Sequence, residues 1–135
     1  MATAIVEYSG NLRTHSTHVK SGVSIITDAP TDNHGKGEAF SPTDLLCSSL
    51  GSCMLTIMGI SANSHGISFN SATIEVTKQM AENPRRVSGV VCHIKVKNEN
   101  YGEKEIRLLK GAALNCPVAK SLHPDIKQEI TFEWI

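Results

Sequence analysis

The chain has 135 residues, in which 13 lysines and arginines balance 13 aspartates and glutamates. A chain of this length can form one hydrophobic core, so we predict a single domain over residues 1–135. The balanced charge provides no basic surface for a nucleic acid or an anionic membrane, and we expect neither as a partner.

The first residues show no basic segment followed by an apolar run, so the sequence predicts no secretory signal. Without export, the cysteines at positions 47, 53, 92 and 116 are not typical of a disulfide framework. They also lack the CxxC spacing of a structural zinc site. We therefore expect a cytoplasmic protein that uses neither a metal nor another cofactor.

Three strands are predicted at the start of the chain, over residues 2–8, 12–19 and 23–27. Turn-forming residues separate them, which indicates an antiparallel meander. The next segment, residues 28–42, is rich in Gly, Pro, Asp and Asn and is predicted to be a long loop. Its central part, Asp32 to Glu38, either lines the mouth of a site or is a solvated surface loop.

The most informative stretch runs from Ser41 to Ser64 and is predicted to be a helix. Ser41 suits the N-cap, Pro42 suits the first helical turn, and Asp44 has the spacing of a capping box. Apolar residues then point in every direction, so the helix must be enclosed by the domain or by a second copy of it. Its uncharged part, Leu45 to Ala62, is barely long enough to cross a bilayer and contains several serines, so we predict a buried core helix.

The second half of the chain is predicted to contain a hairpin, two helices and a last strand. Alternating residues indicate strands over 67–80 and 86–98, with Val90, Cys92, Ile94 and Val96 on one buried face. The predicted helices cover 103–114 and 116–122, and the last strand covers 126–135. The expected fold class is α+β, with antiparallel sheets around a long buried central helix.

Two cysteines occupy helical settings that bear on reactivity. Cys116 lies at a helix start, where the helix dipole stabilises a thiolate and lowers the thiol pKa. Cys53 lies inside the apolar helix, where burial raises the pKa unless a cation is near. Core packing is the alternative for each of them alone, and we interpret Cys47 and Cys92 as packing residues.

Two motifs give these cysteines a context. SPTDLL at 41–46 with GSC at 51–53, and NCPVAKSL at 115–122, resemble the two cysteine motifs of the OsmC/Ohr family of osmotically inducible and organic hydroperoxide resistance proteins. The order of the predicted elements is similar over the whole chain. The resemblance implies an intertwined homodimer, with the two central helices buried back to back. It also implies a thiol peroxidase that reduces organic hydroperoxides and is regenerated by an external dithiol.

Roles for individual residues follow from the resemblance. Cys53 would be the peroxidatic thiolate, Cys116 the resolving thiol, and Arg13 the cation that activates Cys53. The alternative for Arg13 is an exposed arginine on a strand.

One position departs from the best-known peroxidases of the family. They carry glutamate directly after the proline of the first motif, where this chain has Thr43. The next residue, Asp44, is explained by helix capping. The pattern resembles a less characterised branch of the family. We therefore carry two hypotheses: a Cys53/Cys116 peroxidase, and a redox-sensitive stress protein that binds small molecules with little turnover.

Overall fold

The computed structural model describes every residue from Met1 to Ile135. Its elements divide between two compact units, Met1–Leu46 and Cys47–Ile135. In chain order the elements are β1 (Ala4–Gly10), β2 (Arg13–His18), β3 (Ser24–Asp28), a short 3-10 helix (Thr31–Asn33), α1 (Pro42–Ser64), β4 (Ala72–Ala81), β5 (Arg86–Val96), α2 (Glu103–Leu114), α3 (Pro117–Ser121) and β6 (Lys127–Trp134).

The first unit is the predicted antiparallel meander, with the strand order β1-β2-β3. Pairing of β2 with β3 places Arg13 directly opposite Asp28. The long loop after β3 is confirmed except for its one 3-10 turn. Several large apolar side chains of this unit are exposed: Ile5, Val6, Tyr8, Val23 and Ile25.

The predicted helix is confirmed as α1, and its capping box forms as expected. The Ser41 backbone N–H donates to Asp44 Oδ2, and the Asp44 backbone N–H donates to Ser41 Oγ, both at 3.0 Å. These bonds satisfy backbone donors that a helix start otherwise leaves free. At the other end, Gly66 follows the helix with φ +66°, a left-handed conformation that glycine adopts readily where a helix ends.

Within one chain, α1 buries only one of its faces. Its buried residues are Cys47, Leu50, Gly51, Met54, Met58 and Ala62. Leu46 and Ile60 are exposed, so the single chain does not enclose the helix on every side. By length and composition α1 also meets the criteria for a membrane span, but core helices of soluble proteins meet the same criteria.

The second unit contains a sheet with the order β4-β5-β6. The β4–β5 hairpin is antiparallel as predicted. The expectation that the sheets are purely antiparallel is wrong for β5 and β6, which pair in parallel. A parallel pair needs a crossover connection, and α2 and α3 lie in the connection between these two strands. The α+β class stands.

The first strand of this hairpin was predicted over residues 67–80, but regular pairing begins only at Ala72, so the predicted strand starts too early. Ile67 and Phe69 instead pack against the core without joining the sheet. The buried face of β5 is confirmed: Val90, Cys92, Ile94 and Val96 are at most 1% exposed. This face packs in the same core as Met54, Met58 and Leu109.

Candidate active site

Two of the predicted site residues lie side by side in the second unit. Cys53 is on α1, and Cys116 is the N-cap of α3, immediately after the end of α2. Pro117 stands at the first position of α3, where its missing N–H costs nothing. Cys53 packs against the core that contains Cys116, and the Cys53 thiol contributes to the raised pKa of Cys116. This adjacency is what a thiol pair needs to form a disulfide during a redox cycle.

The two thiols differ in their access to solvent. Cys116 is fully buried, whereas Cys53 is partly exposed. In a pair of this kind, the exposed thiol is the one that a small molecule reaches first.

Burial raises the pKa of Cys116 above its ordinary value. The backbone N–H of Ala119 acts in the opposite direction, and the adjoining Cys53 thiol adds to the increase. The sequence had predicted a lowered pKa from the helix start. That prediction is wrong, because desolvation outweighs the stabilisation from the first turn of a short helix.

The other two cysteines are buried, as predicted. Cys47 is 1% and Cys92 is 0% exposed. Burial raises the pKa of Cys92 to about 11, and the neighbouring thiols of Cys47 and Cys116 contribute. Cys92 is therefore a neutral packing residue at physiological pH.

Arg13 belongs to the first unit, and its guanidinium is held by a carboxylate. Arg13 Nε donates to Asp28 Oδ1 at 2.6 Å and Nη2 donates to Oδ2 at 2.8 Å. Its side chain is 32% exposed, while that of Asp28 is 2% exposed. The hydrogen bonds to Asp28 raise the pKa of Arg13, and the same bonds lower the pKa of Asp28. Arg13 is thus a paired, partly buried arginine and does not project freely from the strand.

Asp28 is the residue that sequence reasoning missed. It lies at the end of β3, and cross-strand pairing, not sequence proximity, brings it to Arg13. The predicted strands 12–19 and 23–27 leave residues 20–22 as the turn, and a register built on that turn would pair position 13 with position 29, one residue away from the observed partner. Opposite charges on directly facing positions are favourable.

The first motif shows no carboxylate at the position after the proline. Thr43 Oγ1 lies 3.2 Å from Ser41 Oγ, and Asp44 serves the helix cap as predicted. The loop from Asp32 to Glu38 is exposed apart from Gly35, which is half-buried. No group of three or more His, Cys, Asp or Glu side chains is arranged to hold a metal ion.

Comparison with known proteins adds a family match. The model of the family described as OsmC-like protein matches residues 35–131. A comparison with curated proteins finds no match.

Solved structures are similar over nearly the whole chain. A Psychrobacter arcticus 273-4 protein, provisionally described as an osmotic stress induced and detoxification response protein, is 53% identical; the match covers 98% of this chain and 96% of that one, with a TM-score of 0.93. A Legionella pneumophila organic hydroperoxide resistance protein OsmC is 17% identical, with 98% of both chains covered and a TM-score of 0.76. A Vibrio cholerae protein, provisionally described as an organic hydroperoxide resistance protein and solved with captopril in one of its active sites, is 14% identical, with 100% of this chain and 94% of that one covered and a TM-score of 0.76. The last two show the fold alone.

Proposed function

This chain belongs to the OsmC-like protein family, and from that membership we propose that it is a thiol-dependent peroxidase that reduces organic hydroperoxides through Cys53 and Cys116. The observation that carries the proposal is the adjacency of one partly exposed thiol and one buried thiol. The chemistry requires this asymmetry. The first thiol must meet the peroxide, and the second must be within reach once the first has been oxidised.

The proposed reaction has three balanced steps. The Cys53 thiolate attacks the distal oxygen of a hydroperoxide, the O–O bond breaks, and the leaving alkoxide takes a proton to become an alcohol. The resulting Cys53 sulfenic acid condenses with the Cys116 thiol, which forms a disulfide and releases water. An external dithiol then reduces the disulfide by exchange and is itself oxidised to a disulfide.

The raised pKa of Cys116 supports its role as the resolving thiol. A buried neutral thiol beside Cys53 does not compete for peroxide, because the thiolate is the nucleophilic form. Arg13 has the proposed role of stabilising the Cys53 thiolate. An arginine stays charged at every working pH, which suits it to that task.

The proposed substrates are apolar hydroperoxides. Cys53 lies against the hydrophobic core, together with partly buried neighbours such as Leu55 and Ile57. Apolar surroundings favour an alkyl hydroperoxide over the smaller and more polar hydrogen peroxide. Some structural neighbours carry organic hydroperoxide resistance in their names.

We also propose that the working form is a homodimer in which residues 1–135 act as one OsmC-like domain. The exposed Leu46 and Ile60 of α1 and the apolar side chains of the meander support it. Apolar surface of this kind marks interaction sites. Sedimentation equilibrium should give about twice the 14.6 kDa chain mass. A monomer at micromolar concentration would contradict the dimer.

The four free thiols are compatible with a reducing compartment, and we propose the cytoplasm as the location of the protein.

The second candidate function is that of a protein that has the same two thiols but shows little catalytic turnover. The hydroxyl of Thr43, which takes the place of the family's glutamate, favours a redox-sensitive protein that binds small molecules. The two functions differ in one measurable property, which is catalytic recycling.

The test is a thiol titration of the reduced protein with cumene hydroperoxide. A peroxidase loses two thiols per chain, forms one alcohol per disulfide, and recovers both thiols when a dithiol such as dithiothreitol is added. Repeated turnover with excess dithiol separates the enzyme from the binding protein. The enzyme proposal fails if the thiols persist at a tenfold excess of peroxide.

A further inference from the structure

Two buried thiols, those of Cys47 and Cys92, have no part in the proposed reaction. They lie in the hydrophobic core of the second unit, which also contains Cys116. Cys47 is 1% exposed, and Cys92 and Cys116 are 0% exposed. Cys92 belongs to β5, the central strand of the sheet β4-β5-β6, so the elements that pack on that strand determine which thiols surround it.

Helix α1 packs beside Cys92 on the β4 side of the sheet. Val76 of β4 pairs directly with Cys92, so their side chains lie on the same face. The helix approaches Val76 at Gly51, where an added β-carbon would lie 2.9 Å from Val76 Cγ2. Cys47 is one helical turn before Gly51 and is buried on the same face of α1. This packing brings the Cys47 thiol to the neighbourhood of Cys92.

The start of α3 packs near Cys92 on the β6 side of the sheet. Gln128 of β6 donates a hydrogen bond from Nε2 to the carbonyl oxygen of Ala119 in α3, at 3.1 Å. Gln128 pairs with Val90 of β5, and Cys92 is the next β5 residue on that face. Cys116 is the N-cap of α3, three residues before Ala119. The contact therefore brings Cys116 to the same part of the core.

The electrostatics of the thiols agree with this packing. Burial raises the pKa of Cys92 to about 11, and the neighbouring thiols of Cys47 and Cys116 contribute. Cys53 in turn contributes to the raised pKa of Cys116. The four thiols of the chain therefore follow one another in the order Cys53, Cys116, Cys92 and Cys47.

We propose that Cys92 and Cys47 form a second redox pair, which receives the disulfide of the first pair by thiol–disulfide exchange. The inference rests on the proposed peroxidase function, in which a hydroperoxide is the oxidant that creates the first disulfide. The Cys92 thiolate attacks the Cys116 sulfur, the bond between Cys116 and Cys53 breaks, and Cys53 leaves as a thiolate that takes up the proton lost by Cys92.

A second exchange completes the transfer. The Cys47 thiolate attacks the Cys92 sulfur, and Cys116 leaves as a thiolate that takes up the proton lost by Cys47. The core then holds a disulfide between Cys47 and Cys92. The first pair is again reduced, so one chain can reduce a second molecule of hydroperoxide before any external dithiol acts.

The chemistry of Cys92 makes the transfer slow and the product durable. With a pKa of about 11, only about one Cys92 thiol in ten thousand is ionised at pH 7. The exchange therefore belongs to the range of minutes to hours that is typical of disulfide rearrangement. The same high pKa makes Cys92 a poor leaving group once it is part of a disulfide. Burial also shields this disulfide from an external dithiol.

The test counts the thiols that remain after reduced protein is mixed with two equivalents of cumene hydroperoxide per chain, without a dithiol. Samples are denatured and alkylated at intervals, and the disulfides are mapped by mass spectrometry. We expect a fast loss of two thiols, then a slow loss of two more and a peptide pair that joins Cys47 to Cys92. The slow phase should accelerate about tenfold per pH unit below the pKa of Cys92. Dithiothreitol added to the folded protein should recover only two of the four thiols.

Two variants and a control identify the thiols responsible. Cys92→Ala and Cys47→Ala should each lose two thiols in the fast phase and none in the slow phase. Either one serves if the other does not fold. The control is Val90→Ala, which shortens a buried side chain of the same strand face but keeps all four thiols, and it should still lose all four.

The absence of any disulfide at Cys92 in the unchanged chain would overturn the inference, as would a slow phase that persists in Cys92→Ala. Diamide oxidises dithiols without a peroxide, and it separates this inference from the proposed function. If the chain does not consume peroxide but diamide leads to the disulfide between Cys47 and Cys92, only the proposed peroxidase function fails. If peroxide is reduced and the first disulfide never moves, only the transfer fails.

Discussion

Gly51 of α1 and Val76 of β4 approach so closely that a β-carbon on the glycine would lie 2.9 Å from Val76 Cγ2. The next nearest atom, Cγ2 of Ile74, would be 3.3 Å away. The helix therefore sits on the sheet at a distance that only glycine allows. Cys53 is two residues further along the same helix, so this contact helps to fix the position of the reactive thiol.

We predict that Gly51→Ala destabilises the protein. An extra methyl group in a packed core costs ~1–3 kcal/mol in the free energy of unfolding, measurable by urea denaturation. Gly111→Ala on α2 is the control, because no atom lies within 4 Å of its added β-carbon. Alanine there should be neutral or stabilise by ~0.5–1 kcal/mol. Equal losses in both variants would contradict this packing argument.

Cys116→Ser should leave the first oxidation intact and stop the recycling. Without a resolving thiol, the Cys53 sulfenic acid persists and excess peroxide converts it to sulfinic acid. Mass spectrometry of the treated protein should show two added oxygens on Cys53. The control is Cys92→Ala, which removes a buried thiol outside the proposed pair and should still form the disulfide. Oxidation of Cys116 in a Cys53→Ser variant at the normal rate would mean that the roles are reversed.

Disulfide formation should accelerate as the pH rises. The pKa of Cys116 lies above its ordinary value because the thiol is buried, so at neutral pH only a small fraction is thiolate. That fraction grows about tenfold for each unit of pH below the pKa. After one equivalent of peroxide, the rate of disulfide formation should climb between about pH 7 and about pH 9. Quenching with an alkylating reagent at timed intervals measures it, and a plateau already at neutral pH would refute the assignment.

From the proposed role of Arg13, we predict that Arg13→Ala slows the oxidation of Cys53 at least tenfold. A thiol against an apolar core loses its solvating water, and a guanidinium offsets that loss. Stopped-flow oxidation with cumene hydroperoxide measures the rate. Arg107→Ala on α2 is a suitable control, because Arg107 is exposed. An unchanged rate in the Arg13 variant would show that the thiolate is stabilised from elsewhere.

The free energy of unfolding should decrease in acid, in part because Asp28 becomes protonated. Its bonds to Arg13 lower its pKa in the folded state, so the folded chain binds this proton more weakly than the unfolded chain does. The contribution is complete above the unfolded pKa of ~3.9 and disappears as the pH falls through the lower folded value. Urea denaturation across this range should show a shallower decline for Asp28→Asn than for the unchanged chain. Glu38→Gln should keep the original slope.

Local features were predictable from the sequence because their causes are local. The cap formed by Ser41 and Asp44 depends on residues three positions apart, and the buried face of β5 depends on simple alternation. The adjacency of Cys53 and Cys116 followed from the family resemblance, since nothing in the spacing of two residues on different helices requires it.

The features that escaped prediction depend on distant parts of the chain. β6 runs parallel to β5, and α2 and α3 form the connection between the two strands. The alternation of apolar and polar residues in β6 does not distinguish a parallel from an antiparallel strand. Asp28 acquires its partner only through strand register. The pKa of Cys116 depends on how completely the folded core excludes water, which neither the helix start nor its sequence reveals.

The parallel pairing of β5 and β6 has a consequence for folding kinetics. Each β5 residue from Gly89 to Val96 pairs with the residue 38 positions later, as Gly89 does with Lys127. The β4–β5 hairpin can form early from local contacts, but β6 must wait for α2 and α3 to bring it alongside. Until then, one edge of β5 has unsatisfied backbone donors and acceptors, in a strand that contains several valines. The period between hairpin formation and the arrival of β6 is therefore when this chain is most prone to aggregate.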